Sequence, residues 1–241
     1  MQKQNELSAL AFACKYSLIT NRLDYCGKKN SFESFGFFLA NPSEEKAPEI
    51  KSLLDSFYSE KSYSESIASV HNLERFDFSV LEAYWLGNNL LEKGSHREIQ
   101  KTILGFQNFG LPREIAEQKA VSLPENCVPH HSLHVLHVNF ITPKLKPLVK
   151  NLSDCLIQWG EVKGAEKEKI KVKGIELKSL NNRLVLQEKS KLIENPFSLL
   201  PEKGDFVSCH WNNAIEILSE EQLESLKKYT LRNLEAVNSI R

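Results

Sequence analysis

The residues able to do chemistry gather in the second half of the chain. One segment runs Cys155-Leu-Ile-Gln-Trp-Gly160-Glu-Val162. Another runs Gly204-Asp205-Phe-Val-Ser-Cys209-His210, followed by Trp211, Asn212, Asn213, Ala214 and Ile215. The first puts a thiol at the start of one predicted strand. The second puts an imidazole at the end of another. A thiol and an imidazole on one small sheet can hold a transition metal or activate each other. If they meet, a protonated His210 lowers the pKa of Cys155 and favours thiolate.

Four histidines stand close together just upstream, at His130, His131, His134 and His137. The Val-containing run His131–Ile141 and the preceding Pro129 read as a strand. His131 and His137 would then face one side, His130 and His134 the other. A helix would instead align His130, His134 and His137 on one face, a better spacing for metal. Packing alone rarely calls for so many imidazoles, and the run is expected to line a cleft between domains. His130, His131 and His134 therefore join Cys155 and His210 as candidate metal ligands, and Asp205 is kept beside them.

Three further residues carry weaker signals. Cys26 lies in the turn Tyr25-Cys26-Gly27, where a thiol is accessible to act as a nucleophile with one of the histidines as base. Glu82 and Trp85 lie on one predicted helix, with Tyr84 between them and Gly87 close behind. Glu82 is a candidate inward carboxylate. Tyr84 and Trp85 are large apolar bodies whose polar ends seek hydrogen-bond partners.

The elements that must position these residues divide the chain in two. Apolar residues at helical spacing predict helices over Glu6–Leu18, Ala47–Tyr58, Tyr63–His71, Phe78–Leu91, Ile99–Phe106 and Arg113–Ala120. Asp77 is a predicted cap for the fourth. After Pro124 the texture becomes alternating. Strands are predicted over Cys155–Val162, Lys169–Lys173, Arg183–Gln187 and Asp205–His210, with Glu161–Lys173 as a solvated hairpin. Ser219-Glu-Glu-Gln222 has the form of a capping box opening a last helix to about Val237. The expected fold class is α+β: a helical domain over 1–125, a His-rich strand and connector over 126–149, and a small β-barrel with a C-terminal helix over 150–241.

Composition narrows the partners. Lys plus Arg and Asp plus Glu balance at 31 each, so no basic field exists to draw nucleic acid. No apolar run reaches the length of a membrane span. Residues 1–6 lack the order of a signal peptide, and the expected location is cytoplasmic. Five scattered cysteines without a C-x-x-C pair suit neither a disulfide framework nor a zinc ribbon. No phosphate-binding glycine loop is present.

The pattern Cys155-Leu-Ile-x-x-Gly160-x-Val162, then Gly204-Asp205-Phe-Val-x-x-His210-x-x-x-Ala214-Ile215, resembles the HypC/HupF family of [NiFe]-hydrogenase assembly chaperones. The resemblance implies an OB-like barrel with a trailing helix. It also implies that Cys155 helps hold an Fe(CN)2(CO) fragment, with a hydrogenase subunit or maturation scaffold protein as partner. This chain carries Trp159 where that family has proline, and its cysteine is internal. The Tyr25-Cys26-Gly27 turn, Glu82-Ala-Tyr-Trp85, Pro129-His130-His131-Ser132 and both barrel segments together resemble an uncharacterised prokaryotic domain-of-unknown-function family.

Two functions follow as expectations. One is a non-catalytic accessory protein of hydrogenase maturation, binding a metal fragment or a partner through its barrel. The alternative is a metal-dependent enzyme, using iron or zinc at a His-rich site between the domains. A binding module that kept only the barrel's shape is a third.

Overall fold

A computed structural model describes residues 2–139 and 145–241. Helices fill the first half: α1 (Gln2–Arg22), α2 (Ser31–Ala40), α3 (Ala47–Leu54), α4 (Tyr58–His71), α5 (Phe78–Trp85), α6 (His96–Gly105) and α7 (Arg113–Val121). α1 is buried on nearly every side from Ala9 to Asn21, with Ala11 and Lys15 half-buried, which makes it the central helix of the core. α2 escapes the sequence reading, although Phe35 and Phe38 are fully buried on it.

α5 ends at Trp85, earlier than predicted. Gly87 follows at φ 86°, and a Cβ there would run into the Tyr229 ring. The glycine thus lies just beyond the helix and lets the last helix pack closely against the chain. Asp77 occupies the cap position without a capping hydrogen bond from its side chain.

The His-rich segment is helical, which corrects the predicted strand. His131–Leu133 forms a short helix, α8, and His134–Val138 continues it as a π-helical turn. His130 caps it: Nδ1 accepts from the Ser132 backbone N–H at 3.2 Å. Pro129 stands just before that cap, where it starts a helix as readily as it borders a strand. Phe140 and Ile141, the end of the predicted strand, lie outside the described residues.

A helix the sequence reading missed, α9 (Val149–Cys155), leads into the barrel. Cys155 therefore closes a helix instead of opening a strand. The strands are β1 (Gln158–Ala165), β2 (Lys169–Leu180), β3 (Arg183–Glu194), β4 (Phe206–His210) and β5 (Asn213–Leu218), and α10 (Glu220–Asn238) follows. They close in the order β1-β2-β3-β5-β4. β3 and β5 meet in parallel at Glu194 and Asn213, and the other pairings are antiparallel. This five-stranded closure is OB-like, so the chain has the expected α+β class.

Val162, Ile170, Val172, Ile193 and Val207 fill the barrel interior. The largest core cluster joins the helices of the first half to Ile157, Ile215 and the inner face of α10. The Ser219 capping box forms in full. Its Gln222 also donates to Glu82 Oε1 at 3.0 Å, tying α10 to α5. Among the described residues, no helix is long and apolar enough to cross a membrane.

Candidate metal centre

Antiparallel pairing of β1 with β4 sets Gln158 opposite Cys209. Cys155 lies just before that strand pair and His210 just after Cys209, so barrel closure brings the two to one end. A hydrogen bond from the Trp211 N–H to the Asp154 carbonyl, 2.8 Å, fastens α9 to the end of β4. α8 delivers the third member. Asn233 on α10 holds its entry: Asn233 Oδ1 accepts from the Val128 N–H at 2.8 Å, and Nδ2 donates to Ser132 Oγ at 2.9 Å.

The donor atoms of His131, Cys155 and His210 lie within 4.8 Å of one another. Their residues are only 4 %, 4 % and 1 % exposed. His210 Nδ1–H donates to the Tyr16 carbonyl at 3.1 Å, and its Nε2 is buried and makes no hydrogen bond, with the Cys155 backbone as a near neighbour of the ring. A fixed tautomer with an idle lone pair is the arrangement of a metal-ligating histidine. His131 Nε2–H donates to the Cys155 carbonyl at 2.9 Å, and its Nδ1 takes the Tyr84 hydroxyl at 3.0 Å. The Tyr84 hydroxyl also lies 3.3 Å from Ser59 Oγ.

Burial pushes the Cys155 thiol well above its usual range, and nearby Cys26 and Asp154 push it further. Burial holds the His131 imidazole well below its usual value, with His210 adding to the effect. Burial brings His210 down to about 4, against the backbone of Tyr16 and Cys155. Without metal, the cluster is therefore a neutral thiol beside neutral imidazoles. This corrects the expectation that a protonated His210 would make Cys155 a thiolate: dehydration outweighs their mutual attraction.

The cluster lines a cavity of about 480 Å³ that also touches Cys26, Trp85, His134 and Glu60. Trp85 packs on His131 at 4.8 Å and on His210 at 5.9 Å between ring centroids. Glu60 is buried and bonded to Arg75 Nη2 at 2.6 Å. Burial raises its carboxyl against the pull of Arg75.

The remaining sequence candidates stand elsewhere. His130 caps α8 and is absent from the donor cluster, and burial lowers it to about 3. His134 reaches the cavity wall without joining the donors. His137 Nε2 bonds to the Lys119 carbonyl at 2.7 Å and so serves packing. Glu82 is engaged by Asn88 and Gln222. Asp205 accepts from the Glu202 N–H at 2.8 Å in a turn. Tyr84 was singled out as a polar handle, and His131 is its partner. Glu60, Tyr58, Phe106 and Phe109 left no readable signal, because their place in the wall depends on how the helices pack.

The fold and the cluster define a class: a helical layer on a closed five-stranded barrel, with a buried two-histidine, one-cysteine donor set between them. The chain belongs to a family of unknown function, DUF6390, which it matches over residues 5–241. No curated protein and no solved structure matches it.

Proposed function

We propose that the protein binds one transition-metal ion through His131, Cys155 and His210. The observation that carries this reading is the buried lone pair of His210 Nε2, oriented by the Tyr16 carbonyl and converging with a thiol and a second imidazole. Tetrahedral bonds of about 2.1 Å to nitrogen and 2.3 Å to sulfur set neighbouring donors about 3.6 Å apart. The donors here are within 4.8 Å, so side-chain rotation of about 1 Å closes the set. Mixed nitrogen and thiolate ligation suits zinc or iron(II).

His131 can join by exchanging tautomers. Its Nδ1–H would donate to the Tyr84 oxygen while the Tyr84 proton turns to Ser59, and Nε2 is released toward the metal. Three protein ligands leave a fourth position, and the adjoining cavity supports an exchangeable ligand there. That arrangement serves a metal-dependent enzyme.

Metal analysis of protein purified without added chelator tests the reading. One equivalent of zinc or iron is expected, lost in Cys155→Ser and in His210→Ala. No metal, or metal retained in both variants, overturns it.

The narrower reading is a HypC-like carrier in [NiFe]-hydrogenase assembly, with a hydrogenase subunit or scaffold as partner. The OB-like strand order and the meeting of Cys155 with His210 favour it. The burial of Cys155 weighs against handing cargo to another protein. Co-purification with hydrogenase subunits, abolished in Cys155→Ala, would support this carrier. Normal hydrogenase maturation in cells lacking the thiol would remove it.

A further inference from the structure

The cavity beside the donor cluster has a composition that selects its occupant. Tyr25, Phe57, Tyr58, Trp85, Phe106 and Phe109 all line it. Tyr58 and Phe109 stack with centroids 4.2 Å apart and planes 12° from parallel, and Tyr58 is 45 % exposed at the outer end. Trp85 packs on His131 at the inner end. Gly27 lets the Tyr25–Lys28 turn close down on Phe57: its φ is 79°, and a Cβ would collide with that ring. A volume of about 480 Å³ suits a small organic molecule and excludes a polymer from the interior.

Charge narrows the class. Among the described residues Glu60 is the carboxylate in the wall, and Arg75 pairs with it from behind while also holding Asp55, which Lys61 flanks. These cations offset the carboxylates and leave little anionic field to attract a cation. Lys28 is an exposed wall residue and forms no ion pair among the described residues. Among the described residues no arginine lines the cavity, which leaves a phosphate group without the bidentate partner it favours.

We infer that the cavity takes a small planar aromatic molecule, neutral or singly anionic, whose one donor group completes the coordination of the metal. This rests on the metal-binding reading. Flat rings gain from stacking on aromatic walls and from leaving water, while a polar donor is satisfied by the metal.

Cobalt(II)-loaded full-length protein tests this with two probes that share one chelating group, benzohydroxamate and acetohydroxamate. The visible cobalt spectrum reports both metal binding and probe binding. Benzohydroxamate is expected to bind at least about tenfold more tightly, equivalent to about 1.4 kcal/mol. Tyr58→Ala and Phe109→Ala, tested separately, should each shrink that preference severalfold and leave cobalt affinity unchanged. Equal affinities for the two probes, or a preference untouched by both substitutions, overturn the aromatic inference and leave the metal reading standing. Absence of a thiolate-to-cobalt charge-transfer band overturns both.

Discussion

Replacing His130 with Asn tests the burial of neutral imidazole without touching the proposed ligands. His130 is fully buried, and its pKa falls to about 3 from the usual 6.5. In the unfolded chain the ring takes up a proton below about pH 6.5. In the folded chain it does not until far lower pH. Its contribution to stability is thus present above pH 6.5 and is lost as pH falls toward 3. Between pH 7.5 and pH 5 that loss comes to about 2 kcal/mol. His210, at about 4 in the metal-free protein, loses a similar amount over the same interval, and His131 has the same sign. Glu60 has a raised carboxyl and opposes them modestly as it protonates. Asparagine is a good cap, and its Oδ1 can accept from the Ser132 N–H as His130 Nδ1 does. His130→Asn should therefore flatten the pH dependence while α8 persists. The assay is urea unfolding at pH 7.5 and pH 5 with chelator present. At a slope of about 2 kcal/mol per molar, the wild-type midpoint should fall about 1 M further than the variant's. An identical fall in both proteins would refute the argument that His130 is held neutral by burial.

Other outcomes follow from the same contacts. Metal uptake at pH 7.5 should release about one proton, because the Cys155 thiol is protonated beforehand and both imidazoles are neutral; calorimetric heats that do not differ between phosphate and Tris buffers would contradict this. Tyr84→Phe removes the acceptor for His131 Nδ1–H and should weaken metal binding by roughly 10–100-fold, measured by competition with a chromophoric chelator; an unchanged affinity would mean that the hydroxyl has no part in orienting His131. Asn233→Ala strips hydrogen bonds from the buried Val128 backbone and Ser132 and should cost about 2–4 kcal/mol in chemical denaturation; a loss under 1 kcal/mol would show that the entry to α8 holds without it.

The barrel was legible because β2 alternates through Ile170 and Val172 and β3 opens on the apolar run Leu184–Leu186, and Ile170, Val172 and Leu184 are buried. Their full lengths were not, since Gly174, Glu176 and Lys189 resemble turn and surface residues when read singly. β5 went unread because Asn212 and Asn213 look like the end of structure, whereas Trp211 and Asn212 form the tight turn back from His210 and Asn213 opens the strand. Cys155 and His210 were legible as chemistry. His131 was named beside them with His130 and His134, but which of the three would meet them was not legible: their helix was read as a strand, and the orientation of His131 depends on a cap at His130 and a clamp from Asn233. Glu82 and Asp205 have the residue types of functional groups but are consumed by structural hydrogen bonds, Glu82 between two helices and Asp205 within its own turn. α9 was hidden because a helix of seven residues carries too little periodicity to register.

The partners that hold the donor set in shape are far apart along the chain. His210 is oriented by a carbonyl 194 residues upstream, His131 by a hydroxyl 47 residues before it, and Cys155 meets His131 across 24. The three donors come from separate segments, so no nascent or truncated piece of the chain holds the whole set. The ion would be captured after the helices have docked and the barrel has closed, and its release would accompany their parting. Occupancy of the cluster is in that sense a record of completed folding, written at the seam where the two ends of the chain are joined.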